Sequence, residues 1–205
     1  YNGKYEAEYG DVSLDKLNSI DKKDFSYFYQ KPIGFSKFDS ANEYKPYIYI
    51  SSVDKEYFNE LHLISGRFAE NDSELVISNH INTNGGASYK IGDIITLKYG
   101  ERVIEGVNTL ANNEYYEEET LNIVGEKTYT IVGICERPGY GEEARSAPGY
   151  SVFTSVNSAA SQLANTGVPD KNVSDDDVSD ANAKTVSRGT DIYLRYNKWN
   201  YLKFV

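Results

Sequence analysis

Cys135, His62 and His80 are the only thiol and the only imidazoles in the 205 residues, so a cysteine nucleophile with a histidine base would have to be assembled from them. That chemistry needs the thiol beside a base and an oriented oxyanion site. Cys135 sits instead in the apolar run TIVGIC, the setting of a small buried strand residue. The three residues also lack the short spacing of zinc ligands, of which a structural site takes four. The run SDDDVSD at 174–180 has the oxygen density that calcium favours. It lacks the glycine and distal glutamate of an EF-hand loop, so it reads as a solvated acidic loop, as do Glu117, Glu118 and Glu119. Carboxylate pairs suited to glycoside hydrolysis are so numerous in an acidic chain that none stands out. Phosphate-cradling patterns (GxGxxG, GxxxxGKS/T) do not occur. The residues therefore predict no catalytic group, no metal ligand and no cofactor in this chain, which reads as a non-enzyme.

Recognition chemistry is better represented. The chain has 19 Tyr against 8 Phe, and tyrosine serves both half-buried strands and sugar or peptide surfaces. Tyr115, Tyr116 and Tyr140 lie in acidic or glycine-rich loops and form the candidate partner surface. A net charge of -10 with scattered Lys and Arg excludes a phosphate-backbone partner, because nucleic-acid binding rests on clustered cations. It also disfavours adsorption to an anionic membrane surface.

These residues must be positioned by short elements. With 40% hydrophobic and 25% charged residues the composition is ordinarily globular, and no apolar run approaches the length of about 18 residues needed to cross a membrane. A chain of this size buries one sizeable core or two small ones. It has no Met and no leader-like segment, and reads as a piece excised from a longer protein. Alternation at 5–9 predicts a strand. Asp11 or Ser13 then caps a helix carrying Leu14, Leu17 and Ile20, and strands follow at 25–38 and 47–50. Asp54 caps a short helix with Tyr57, Phe58 and Leu61 that ends near Gly66. Strands are predicted at 74–78, 94–99, 127–136, 150–156 and 191–196, an exposed acidic loop at 108–120, and a mobile connection at 138–148. The stretch 157–187 is an irregular insertion, and Trp199, Leu202 and Phe204 begin a closing helix.

Two stretches, LHLISGRFAENDSELVIS at 61–78 and TYTIVGICERP at 128–138, flank YKIGDIITL at 89–97. The order is a Gly66-Arg67 turn with Glu74 opening a strand, an Ile91-Gly92-Asp93 turn before a second strand, and a third strand interrupted at Gly133. Locally, Gly66 reads as a positive-φ residue, Arg67 as a clamp across the turn to Glu74, and Gly92 with Asp93 as a tight turn. This order resembles the extracytoplasmic domain of FtsX-like ABC transporter permeases, which is similar to the MacB periplasmic core domain.

The resemblance implies an α+β fold of two lobes. One, next to the membrane, is a strand-helix-strand lobe built from 1–52 and 150–205, with 157–187 as its irregular insertion; the other is a β-rich lobe at 53–149. It further implies a non-catalytic extracytoplasmic domain anchored by transmembrane helices outside this chain. Such a domain transmits conformational change between those helices and an external cargo or partner. ATP would sit on a separate ABC ATPase subunit, the permease would be a dimer, and a peptide, lipoprotein or cell-wall protein would be the partner. The alternative is a secreted or wall-anchored binding module that recognises carbohydrate or protein through exposed tyrosines.

Overall fold

The computed structural model describes residues 2–5, 25–104, 111–139, 143–156 and 191–196. Nine strands are present among them: β1 (Asn2–Tyr5), β2 (Phe25–Lys37), β3 (Tyr47–Val53), β4 (Leu63–Gly66), β5 (Glu74–Ser78), β6 (Ile94–Val103), β7 (Thr120–Cys135), β8 (Gly149–Ser155) and β9 (Asp191–Tyr196). Two four-residue helices, α1 (Lys55–Phe58) and α2 (His80–Thr83), follow β3 and β5.

Six strands close on themselves in the order β2-β3-β8-β5-β7-β6 and back to β2. The β3–β8 and β5–β7 contacts are parallel, and the other four are antiparallel. Closure occurs at two residue pairs, Phe35 with Gly100 and Ser36 with Tyr99. Beside this barrel, β9 extends the sheet from β2 and carries β1, while β4 lies against β7 end to end with β6.

The central strands are apolar on both faces, and the reason is visible in their alternation. Ile48 and Ile50 of β3, Leu75 and Ile77 of β5, Ile131 of β7 and Tyr150 and Val152 of β8 share one buried cluster with Ile81 and Leu97. Their neighbours Val53, Val76, Val132 and Phe153 join a second cluster under α1, with Tyr57, Phe58, Leu61 and Cys135. Strands covered on both sides read as continuous hydrophobic runs rather than alternating ones. A third cluster, Phe35 with Tyr47 and Tyr49, receives Tyr115 and Leu121 from outside.

The α+β expectation is overturned. The fold is mostly β, with a closed six-stranded barrel, and helix among the described residues is limited to the two short turns. Among the described residues there is no strand-helix-strand lobe standing beside a β-rich one: β2, β3 and β8 share a single wall with β5, β6 and β7. Asp54 does cap α1, accepting from the Tyr57 amide at 2.9 Å. The helix nevertheless ends at Phe58, because the chain from Leu63 is claimed by pairing with β7, and Gly66 closes a strand instead of a helix. The helix read at 14–20, the insertion at 157–187 with its acidic run 174–180, and the closing helix from Trp199 lie outside the described residues.

One buried ion pair governs the loop between β6 and β7. Arg102, fully buried, binds Glu119 through Nε at 2.8 Å and through Nη2, and donates to the carbonyls of Ala111 at 2.6 Å and Glu114 at 2.5 Å. Its guanidinium also lies 5.1 Å from the Phe35 ring centre and 5.6 Å from that of Tyr47. Glu119, read from sequence as part of a solvated acidic run, has a fully buried side chain. Removing one partner of such a pair leaves an uncompensated buried charge. Glu119→Gln is therefore expected to cost about 3–5 kcal/mol of stability in urea unfolding, whereas Glu117→Gln, on an exposed neighbour, is expected to change it by less than about 0.5 kcal/mol.

Candidate binding groove at the loop-bearing end of the barrel

Three connections meet beside the first residues of β3 and β8: the β2–β3 turn, the β6–β7 loop and the β7–β8 strap. Each is held by a local device. In the β2–β3 turn, Asn42 Oδ1 accepts from the Tyr44 amide at 3.1 Å, an Asx-type turn, and Asn42 Nδ2 donates to Asn84 at 2.9 Å. The β6–β7 loop hangs on Arg102 and is tied to β8 by Asn112, which accepts from the Gly149 amide at 3.0 Å.

The strap is fastened by two buried charges. Glu143 meets His80 Nδ1 at 2.5 Å, accepts from the Ser151 amide at 3.0 Å, and its backbone carbonyl receives Arg137 at 2.7 Å. Lys45 donates to the carbonyls of Ala144, at 3.3 Å, and Ala147. Desolvation pushes the Lys45 ammonium below the usual lysine range, with Glu143 opposing that shift. Tyr150, whose hydroxyl donates to Asn84 at 2.8 Å, lies under both His80 and Lys45.

Between these loops lies an open groove of about 560 Å³. Asn42, Tyr44 and Lys45 come from the first loop, Glu114 and Tyr115 from the second, and Arg145 and Ser146 from the third. Tyr115 is half-buried, its ring against the Phe35 cluster. Tyr44 is 65% exposed. Among the described residues, Arg145 carries no hydrogen bond or ion pair.

The six motif residues assemble elsewhere, along a seam where β7 meets the ends of β4 and β6. Arg67 grips Glu74 with both guanidinium nitrogens, at 2.7 and 2.6 Å, and also donates to the Phe68 carbonyl. Gly66 has φ 81°, and a Cβ there would strike the Val132 carbonyl. A Cβ at Gly133 would strike the Arg67 carbonyl. Gly92 donates to Ile131 at 2.8 Å, and Asp93 accepts from the Lys90 amide at 2.8 Å. These bonds join turns to a strand.

The thiol and imidazoles are scattered. Cys135 is buried, its Sγ against the Ile77 carbonyl, and burial pushes its thiol up to about 12. His62 is exposed, its carbonyl accepting from Glu136, and His80 belongs to the strap. Of the tyrosines singled out from sequence, Tyr115 lines the groove and Tyr116 does not; Tyr116 bonds Glu114 at 2.9 Å. Tyr140 lies outside the described residues. Sequence reasoning missed Tyr44 and Arg145. The available signal for Tyr44 was its place in the polar turn DSANEYKP, where an aromatic ring has little to pack against.

No family model matches the chain, and no curated protein does. Among solved structures, the chain is similar to a crystal structure described as "a domain of a putative Permease protein from Porphyromonas gingivalis", with 12% identity and a TM-score of 0.47. The match covers 92% of this chain and 62% of that one, so this chain spans less than two thirds of that structure's length. No helix among the described residues is long and apolar enough to cross a membrane.

The bond to Arg67 lowers the Glu74 carboxyl from 4.5 to about 2. A depressed folded-state value contributes stability that is complete above the unfolded value and lost as pH falls through the folded one. Melting temperature followed downward from about pH 5 should thus fall more steeply toward pH 2 in the wild type than in Arg67→Met. At neutral pH, a thiol reagent should modify Cys135 only in denaturant; modification in the native state would contradict the burial of that thiol.

Proposed function

We propose that this chain is a non-catalytic extracytoplasmic domain of an FtsX-like ABC transporter permease, similar to the MacB periplasmic core domain, which couples membrane helices to an external cargo or partner protein. The observation that carries this reading is the pairing of β1 with β9. Asn2 lies opposite Arg195 and Tyr5 opposite Ile192, antiparallel, at the outer edge of the sheet. Chain segments entering and leaving through such a pair run side by side, which is the geometry required of a domain inserted between two membrane-spanning helices. The motif residues support the same reading, because each is engaged in joining a turn to a strand, as expected of residues that specify a fold.

In this reading ATP binds a separate ATPase subunit, the permease is a dimer, and motion passes through the β1–β9–β2 edge into the barrel. A second reading, a binding module presented outside the cell, is favoured by the groove and its exposed Tyr44.

The uncut reading frame tests the first. Apolar segments of about 20 residues should lie directly before Tyr1 and after Val205. A frame lacking either one would overturn the permease assignment and leave the binding module.

A further inference from the structure

We propose that the groove between the β2–β3 turn, the β6–β7 loop and the β7–β8 strap binds a carboxylate-bearing sugar, such as a uronic or sialic acid unit of a glycan. Arg145 would take the carboxylate, the Tyr44 ring would take the apolar face of the sugar, and Glu114 and Ser146 would take its hydroxyls.

The argument starts from which groups in the groove are already engaged. Lys45 is buried and spent on two carbonyls, and both polar atoms of the Asn42 side chain are bonded. Tyr115 is anchored in the Phe35 cluster. These three form a rigid floor that offers little further chemistry. Arg145, Ser146 and the Tyr44 hydroxyl, by contrast, carry no side-chain bond among the described residues. Glu114 accepts one bond, from Tyr116, and keeps acceptor capacity.

A free guanidinium presents a planar fork of donors that matches a carboxylate in two parallel bonds. On a chain with a net charge of -10, one exposed cation among the described lining residues selects a singly charged group rather than a polyanion. Glu114 sharpens the choice. It repels a phosphate chain or a run of acidic residues more strongly than a single carboxylate, and it accepts from sugar hydroxyls. An exposed aromatic face is the remaining element of a saccharide site, amphipathic and held by few rotatable bonds.

A peptide fits less well. Extended peptides are captured by strand edges or by apolar pockets for anchor side chains. This groove is walled by turns and has no strand residue in its lining.

The test is titration calorimetry of the full 205-residue chain with a panel of trisaccharides containing galacturonate, glucuronate, sialic acid or muramic acid. Each is run beside its methyl ester, with triglutamate and inorganic phosphate as controls. At least one acid is expected to bind, and its ester to bind about 10- to 100-fold more weakly. Arg145→Ala should reduce affinity for the acid by a similar factor and leave the ester unchanged, and Tyr44→Ala should weaken both. Both variants change exposed side chains, so their melting temperatures should match the wild type.

Absence of binding by every acid at millimolar concentration would overturn the proposal. So would equal binding of acid and ester, indifference to Arg145→Ala, or triglutamate binding as tightly as the best sugar. The outcome is independent of the membrane segments: a negative frame test leaves the sugar site standing, and a negative titration leaves the permease reading standing.

Discussion

Closure of the barrel rests on a close approach between two glycines. A Cβ at Gly34 would lie 2.8 Å from the Gly100 carbonyl oxygen, and a Cβ at Gly100 would run into the backbone of Asn122. Backbones that approach this tightly leave room for hydrogen atoms alone. At Gly100 the register of β6 on β7 also shifts, and at Gly34 that of β2 on β3 shifts, so both strands bend where they meet. Without those bends β2 and β6 would diverge, and the ring of six strands would remain an open sheet. The interior cluster around Ile50, Leu75, Ile77 and Ile131 depends on that closure for its last wall.

The turn after β2, the loop after β6 and the strap before β8 meet beside the first residues of β3 and β8, although β2 and β6 run antiparallel. Charged side chains that satisfy backbone groups hold them: Lys45 for Ala144 and Ala147, Arg102 for Ala111 and Glu114, Glu143 for the Ser151 amide. Buried charges are costly to desolvate, and their value lies in directional bonds that admit one arrangement. The result is a floor of Asn42, Lys45 and the Tyr115 ring, around which Tyr44, Glu114 and Arg145 stand at the margin.

The Arg67–Glu74 clamp obeys the same logic on the surface. It fixes the turn between β4 and β5, and Gly66 and Gly133 let that turn lie flat on β7. The motif that carries the family resemblance is therefore a seam between turns and one long strand. The groove-lining residues lie on other loops.

The strands read at 47–50, 74–78 and 150–156, the Asp54 cap, the Ile91-Gly92-Asp93 turn and the reach of Arg67 to Glu74 were all legible in the sequence, although the first strand runs on to Val53. Each depends on contacts a few residues apart or on a local apolar pattern, and such information is written in the order of the residues. Lobe organisation was not legible, because closure joins residue 35 to residue 100 and no local pattern records that pairing. Nor was the fate of Glu119, which has the same neighbours in sequence as Glu117 and Glu118 and differs only in facing Arg102. Arg145, one of 21 cations, and Tyr44, one of 19 tyrosines, became candidates for recognition only when folding placed them in one groove with side chains that carry no hydrogen bond among the described residues. Sequence by itself determined which segments are strands and turns, since propensity and patterning act locally; the tertiary structure alone decided which of them close the barrel and which side chains remain free, since both depend on distant residues meeting.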